Sequence, residues 1–248
     1  MQPLLIAHRG ASHDAPENTL AAFRLAWEQG SDGIEGDVRL TLDGHIVCLH
    51  DPSTGRTGDR DLTVAESTLA ELQQVDVGAW KGPAWTGERI PTLAQVLTLV
   101  PEGKRIYIEI KSGKAILEPL EQSLAESGLR PEQVVLISFV GNVISGVKKK
   151  MPQFKAHLLS VFPEGPARQG APDGMIQRVK ALNADGADVY VHPKLDRDFA
   201  QAFQQAALEL HVWTVDDPAV AKALADAGVA SITTNRPGLL RRDMSIMD

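Results

Sequence analysis

The feature that most constrains this chain is a rhythm. Short apolar runs alternate with longer stretches of helical periodicity, about eight times in 248 residues. Strands are expected at Leu4–His8, Gly33–Leu40, Arg105–Ile110, Val134–Ser138, Ala156–Ser160, Asp188–Val191, His211–Val215 and Ser231–Thr234. Helices are expected between them, at Thr19–Glu28, Thr92–Val100, Ile116–Ser127, Val143–Lys149, Met175–Leu182, Phe199–Leu208 and Pro218–Ala227. Consecutive parallel strands need a crossover, and a helix supplies it, so this order implies a parallel sheet. About eight such units in this length favour closing the sheet into a (β/α)8 barrel, an α/β fold occupying 1–248 as one domain. A 43% hydrophobic content can fill such a core, and only 5% aromatics suits an interior of branched aliphatic side chains.

One stretch breaks the rhythm. An extra strand segment, Ile46–His50, is joined to the second strand by a turn at Asp43-Gly44. Pro52 to Arg89 then runs too long for a simple strand-to-helix loop, which usually takes about 2–6 residues. It carries a helical pattern at Val64–Leu72 and two tryptophans, Trp80 and Trp85, and reads as a packed lid inserted after the second strand.

Charge and hydropathy exclude some partners. A net charge of −7 speaks against nucleic acid, which selects a basic surface. No run approaches the ~18 apolar residues of a membrane span. The first residues, Met1 to Ala7, lack the basic stretch and long apolar core of a signal peptide, so a cytoplasmic location is expected. The single cysteine, Cys48, sits among Ile46, Val47 and Leu49 and is expected in the core. Nothing in the sequence sets an oligomeric state.

A barrel places its chemistry at the carboxyl ends of the strands. The first strand ends His8-Arg9-Gly10. The second carries Glu35-Gly36-Asp37, the next segment ends His50-Asp51, and Arg105–Ile110 runs into Glu109-Ile110-Lys111. Strand side chains alternate, so Glu35 and Asp37 share a face, as do Glu109 and Lys111. Three inward acids repel one another and lose hydration, and a divalent cation relieves both costs. Oxygen ligands suit Mg²⁺ or Ca²⁺. The competing expectation pairs these acids with Arg39, Lys104 or Lys111. His8 and His50 end strands and are candidates for general acid–base work. His13, His45, His157 and His192 are expected as surface or core residues, and His211 as packing in the seventh strand. Arg9, Asn18 and Lys111 fit an anion site, since Arg forks across phosphate oxygens, Lys adds a point charge, and Asn18 leads into a helix N-terminus. Asn18 or Thr19 would also serve as a plain helix cap.

The ordered set His8-Arg9-Gly10, Pro16-Glu17-Asn18-Thr19-Leu20, Glu35-Gly36-Asp37, His50-Asp51, Ile90-Pro91-Thr92-Leu93, Glu109-Ile110-Lys111 and Val212-Trp213-Thr214-Val215 resembles the glycerophosphodiester phosphodiesterases. Val38-Arg39-Leu40-Thr41 with Asp43-Gly44 fits as well, and the resemblance covers essentially the whole chain. It implies a TIM barrel with a small insertion after the second strand, matching 52–89. It implies metal ligands at Glu35, Asp37 and Glu109, catalytic histidines at His8 and His50, and phosphate contacts at Arg9 and Lys111. Trp213 would line the substrate pocket, and Glu17 and Asn18 would be partly structural. The reaction implied is hydrolysis of a small-molecule glycerophosphodiester to sn-glycerol 3-phosphate and an alcohol, with one divalent cation. A lysophospholipase D using the same residues is the near alternative and should carry an apolar rim. A Schiff-base aldolase through Lys111 would not need three converging acids, and a sugar-phosphate binding module would not need two histidines. Two departures from the family pattern are expected to bear on substrate preference and to lie outside the catalytic set. No bulky apolar residue precedes Arg56-Thr57, and Asn235 stands where Asp is commoner.

Overall fold

In a computed structural model, which describes residues 2–162 and 171–245, the chain forms a closed barrel. Nine strands occur in the order β1 (Leu4–His8), β2 (Gly33–Leu40), β3 (Ile46–Cys48), β4 (Arg105–Ile110), β5 (Val134–Ser138), β6 (Lys155–Ser160), β7 (Gly186–Tyr190), β8 (Glu209–Trp213) and β9 (Ser231–Thr234). Eight of them run parallel, and β1 closes the ring by pairing with both β9 and β2. The helices are α1 (Leu20–Glu28), α2 (Leu69–Leu72), α3 (Leu93–Leu97), α4 (Leu117–Glu126), α5 (Gly141–Lys150), α6 (Ala171–Ala181), α7 (Arg197–Gln205), α8 (Pro218–Ala227) and α9 (Pro237–Ser245). All but α2 follow a barrel strand, which makes this a (β/α)8 TIM barrel.

Period-two alternation sorts the strand residues into two cores. Leu5 and Ala7 of β1 face outward, where they join the large core between barrel and helices, with Phe23 and Ala26 of α1. Ile6 faces inward with Tyr107, Val135, Ile137 and Leu159. Burial on both faces explains why the strands read as nearly unbroken apolar runs. The β1-to-α1 connection needs Gly10. Its φ is +80°, and a Cβ there would lie 2.5 Å from the Ala22 carbonyl carbon.

Element boundaries shift by a few residues from expectation, and two shifts matter. Strand β8 ends at Trp213 rather than Val215, so the indole stands at the barrel mouth. Strand β3 ends at Cys48 and pairs antiparallel with β2, so His50 does not end a barrel strand as expected. It is held instead in a loop, where Leu49 N–H donates to Asp37 O at 3.0 Å and the Arg39 guanidinium donates twice to His50 O. Cys48 is buried as expected, and burial pushes its thiol pKa up.

Residues 52–89 build a small core of their own from Val64, Leu72, Val75 and Val77, closed by Val47, Leu49 and Ile90. The tryptophans are not in that core. Trp80 is 46% exposed and Trp85 is half-buried, so the packing comes from aliphatic residues.

Candidate active site

Glu35, Asp37 and Glu109 converge as their strand positions require. Neighbouring β2 and β4 place Asp37 directly beside Glu109, and each acid offers an oxygen within 4.8 Å of the others. All three are buried. Two cations meet them. Arg9 Nε lies 3.1 Å from Asp37 Oδ2, and Lys111 Nζ lies 2.6 Å from Glu109 Oε1 and 3.2 Å from Asp37 Oδ1. The pairing expected as the alternative to a cation is therefore partly present, through Lys111. Arg39 instead serves His50 O, and Lys104 lies beside Asp32.

Three carboxylates against two cations leave one negative charge in excess. The pKa directions show Asp37 keeping its charge while Glu35 and Glu109 resist theirs. Burial opposes ionisation of Asp37, but Arg9 and Lys111 outweigh it and hold the carboxyl below its usual range. Glu35 and Glu109 are pushed well above theirs by burial and by the Asp37 charge. Glu35 Oε1 is buried without a hydrogen-bond partner, while Oε2 accepts from Arg9 N–H at 3.0 Å. A hard divalent cation fits this set: it would occupy the face of the orphaned oxygen and allow all three acids to ionise.

Asn18, expected at the phosphate, turns its side chain to Asp37. Nδ2 donates to Asp37 Oδ2 at 2.9 Å, and Oδ1 accepts from Asp37 N–H at 3.1 Å. It is buried, and it holds a φ of +58° that few non-glycine residues adopt. Thr19 is the helix cap and accepts from Ala22 N–H.

The two histidines have unlike partners. His8 Nδ1 lies 2.7 Å from Asn235 Oδ1, across 227 residues of sequence. His50 Nδ1 lies 2.6 Å from Asp51 Oδ1. Burial first, then the Arg9 charge, lowers the His8 pKa to about 4, and burial lowers that of His50 against the raising effect of Asp37 and Asp51. His8 lines one narrow cavity with Glu35 and Glu109, and Leu49, next to His50, bonds Asp37 O, so both histidines stand around one centre. One expectation fails here: Asn235, expected to lie outside the catalytic set, bonds His8 directly. Sequence reasoning gave Arg56 no role, yet its guanidinium bonds the Asp51 carboxylate and Glu17, which in turn holds Arg9 at 2.9 Å.

A cleft of about 820 Å³ opens beside His8 and Arg9, lined also by Arg56, Trp80 and Lys81 of the insertion. Trp213 ends β8, with Phe139 at 5.7 Å and Tyr190 at 5.3 Å, rings nearly perpendicular. Trp213 shares a narrow cavity with His8, Glu35 and Glu109. A second buried ionisable group lies deeper in the barrel. His157 and His211 stack at 4.4 Å, with Asp188 oxygens 4.0 and 3.9 Å from their Nδ1 atoms and Glu209 Oε2 3.3 and 3.4 Å from their Nε2 atoms. Both histidines are core residues, as expected. Asp188 and Glu209 carried no motif that would single them out.

The sequence model of the glycerophosphoryl diester phosphodiesterase family matches residues 8–239. A glycerophosphodiester phosphodiesterase of Caldanaerobacter subterraneus subsp. tengcongensis is 36% identical over 244 residues, covering 97% of each chain. A phosphodiesterase of Oleispira antarctica, solved in complex with the product sn-glycerol-3-phosphate, superposes with a TM-score of 0.87 at 27% identity, over 98% of this chain and 97% of that one. A glycerophosphodiester phosphodiesterase of Agrobacterium tumefaciens gives a TM-score of 0.81 at 26% identity, over 97% and 99%. Fold and site thus define a TIM-barrel phosphoric diester hydrolase. The chain belongs to the glycerophosphoryl diester phosphodiesterase family.

Proposed function

We propose that the enzyme hydrolyses small glycerophosphodiesters to sn-glycerol 3-phosphate and an alcohol, with one divalent cation, Mg²⁺ or Ca²⁺, held by Glu35, Asp37 and Glu109. The observation that carries this is the buried acid triad with its excess negative charge, flanked by two histidines and two cations. When bound, the cation would neutralise the phosphodiester and stabilise charge on its oxygens. Arg9 and Lys111 stand beside the acids and would add positive charge to the same phosphate.

The partners of the histidines favour a division of labour. His8 is neutral at pH 7 and its partner is an uncharged amide, which suits a base. His50 donates Nδ1–H to a carboxylate, and Asp51 with Asp37 works against burial to support the doubly protonated ring, whose Nε2–H is the proton a leaving group needs. His8 takes the proton from the glycerol 2-hydroxyl, whose oxygen attacks phosphorus. The bond to the leaving alcohol breaks, and His50 supplies the proton that alcohol needs. A cyclic glycerol phosphate results. Water then opens it, with the roles of the histidines exchanged.

A second reading is favoured by the rim at the carboxyl ends of β5 to β8. Phe139, Val140, Val161 and Tyr190 are exposed there, beside Trp213. An acyl chain leaving the glycerol side of the site would pack on them, which suits a lysophospholipase D.

One panel tests both readings: glycerophosphodiesters, lysolipids and a nitrophenyl diester, read as released products. The small diesters should be the best substrates. Each of His8→Ala and His50→Ala should lose ~10²–10⁴-fold on them. The nitrophenyl substrate, with its good leaving group, should largely rescue His50→Ala but not His8→Ala. Lysolipids outrunning every small diester, with that advantage lost in Phe139→Ser, would favour the second reading. Losses of only a few-fold in both histidine variants would overturn the acid–base assignment.

A further inference from the structure

His8 is half-buried at the end of β1, between the cleft and the protein, so its two ring nitrogens depend on what each meets. Nδ1 meets Asn235 Oδ1 at 2.7 Å. An amide side chain can turn either its oxygen or its NH₂ toward a neighbour. At Asn235 that ambiguity is removed from behind. The Asp216 carboxylate only accepts, and Asn235 Nδ2 lies 2.7 Å from its Oδ2. The NH₂ must therefore face Asp216, which leaves Oδ1 facing His8. Ser12 Oγ donates to the same Oδ1 at 3.0 Å. Asp216 is itself fixed, because its Oδ1 accepts from Asn235 N–H at 2.7 Å and from Thr234 Oγ1 at 2.8 Å.

An amide oxygen has no proton to give. His8 Nδ1 must then be the donor, and the proton of the neutral ring sits on Nδ1. The Nε2 lone pair is left free. We propose that Asn235, aligned by Asp216, is a positioning residue that fixes the tautomer and ring direction of His8 so that Nε2 is its working nitrogen. The proposal rests on His8 being the base of the reaction above. It adds that a relay His8–Asn235–Asp216, joining the ends of β1 and β9 and the loop after β8, sets that base. His50 is held differently, by a charged carboxylate one residue away.

The relay predicts opposite fates for single and paired changes. Asn235→Leu removes the acceptor and should lower kcat by ~10²-fold or more, with KM changed less than about twofold, since a wrong imidazole tautomer alone is costly in comparable relays. Asp216→Ala leaves Asn235 free to turn its NH₂ toward His8 and should lose nearly as much, although it does not touch the histidine. Asn235→Asp alone sets two carboxylates face to face and should also be impaired. The double variant Asn235→Asp with Asp216→Asn rebuilds the chain with acceptor and donor in place, and should recover to within about tenfold of the parent.

Imidazole ¹⁵N NMR on the full-length enzyme with Mg²⁺ gives a readout independent of turnover. His8 should show a protonated Nδ1 and a free Nε2 in the parent and the double variant. The proton should move to Nε2 in Asn235→Leu. Thermal melts identify variants that fail to fold, and the parent spectrum decides the proposal even then. A parent His8 protonated on Nε2, or unchanged kcat and tautomer in a folded Asn235→Leu, would overturn it. If instead the tautomer is as proposed while His8→Ala retains activity, the relay stands and the assignment of His8 as base fails.

Discussion

The barrel buries two clusters of ionisable groups, one above the other, and they differ in balance and in access. The upper one sets Glu35, Asp37 and Glu109 against Arg9 and Lys111, carries more acid than base, and borders an open cleft. The lower one sets Glu209 against Lys155 and the His157–His211 pair, with Asp188 above the rings. Glu209 is compensated from within by Lys155, and burial raises the Asp188 carboxyl to about 6, so that Asp188 gives up its charge only below that pH. Buried charge alone therefore does not mark a working site. Uncompensated charge beside an opening does, because only there does a ligand gain by binding.

The largest expected effect separates the clusters by function. Glu109→Gln should cut turnover by ~10³-fold or more while the protein stays folded, because one ligand of the proposed cation is lost. His157→Gln, equally buried, should change turnover by less than about threefold while lowering the melting temperature. Kinetics and thermal melts on both variants check this. Equal losses of turnover would erase the distinction.

A smaller effect concerns pH. The Asp188 carboxyl titrates near 6 in the folded protein, against an ordinary 3.8. A raised pKa means the folded state holds a proton that the unfolded state releases. The resulting stability is fully present below about 4 and is lost as pH rises through about 6. The loss is at most ~3 kcal/mol, at about 1.4 kcal/mol per pKa unit. Asp188→Asn should remove this dependence and flatten urea-unfolding stability between pH 4 and pH 6.5 relative to the parent, an interval set by the Asp188 titration. An unchanged pH profile in the variant would mean that Asp188 is already paired and ionised.

The upper cluster was largely legible in the sequence because Glu109 and Lys111 stand at the end of β4 and Glu35 and Asp37 share one face of β2 within a short polar motif. Each apolar run that turns polar marks the barrel mouth, and alternation assigns the side, so Glu35, Asp37, Glu109 and Lys111 needed no long-range information. The lower cluster was not legible. His157 and Asp188 sit mid-strand, where an inward polar residue looks like any other, and the register between β6, β7 and β8 brings them together. The His8–Asn235 bond was missed for a similar reason, since closure of the barrel by β1 and β9 joins residues at the two ends of the chain. Asn18 and His50 were placed by local pattern and then moved by tertiary contacts. A cap position was free for Thr19, so Asn18 could turn to Asp37. The β3 hairpin carried His50 into a loop rather than onto a barrel strand.

The central claim is that the acid triad holds one divalent cation on which turnover depends. The direct measurement is a titration of exhaustively chelated enzyme with Mg²⁺ or Ca²⁺, following binding by calorimetry and turnover of a glycerophosphodiester in parallel. A single 1:1 isotherm whose midpoint coincides with recovery of activity, and which is abolished in Glu35→Gln, is the expected result. Full activity in metal-free enzyme, with the chelation verified by metal analysis, would contradict it.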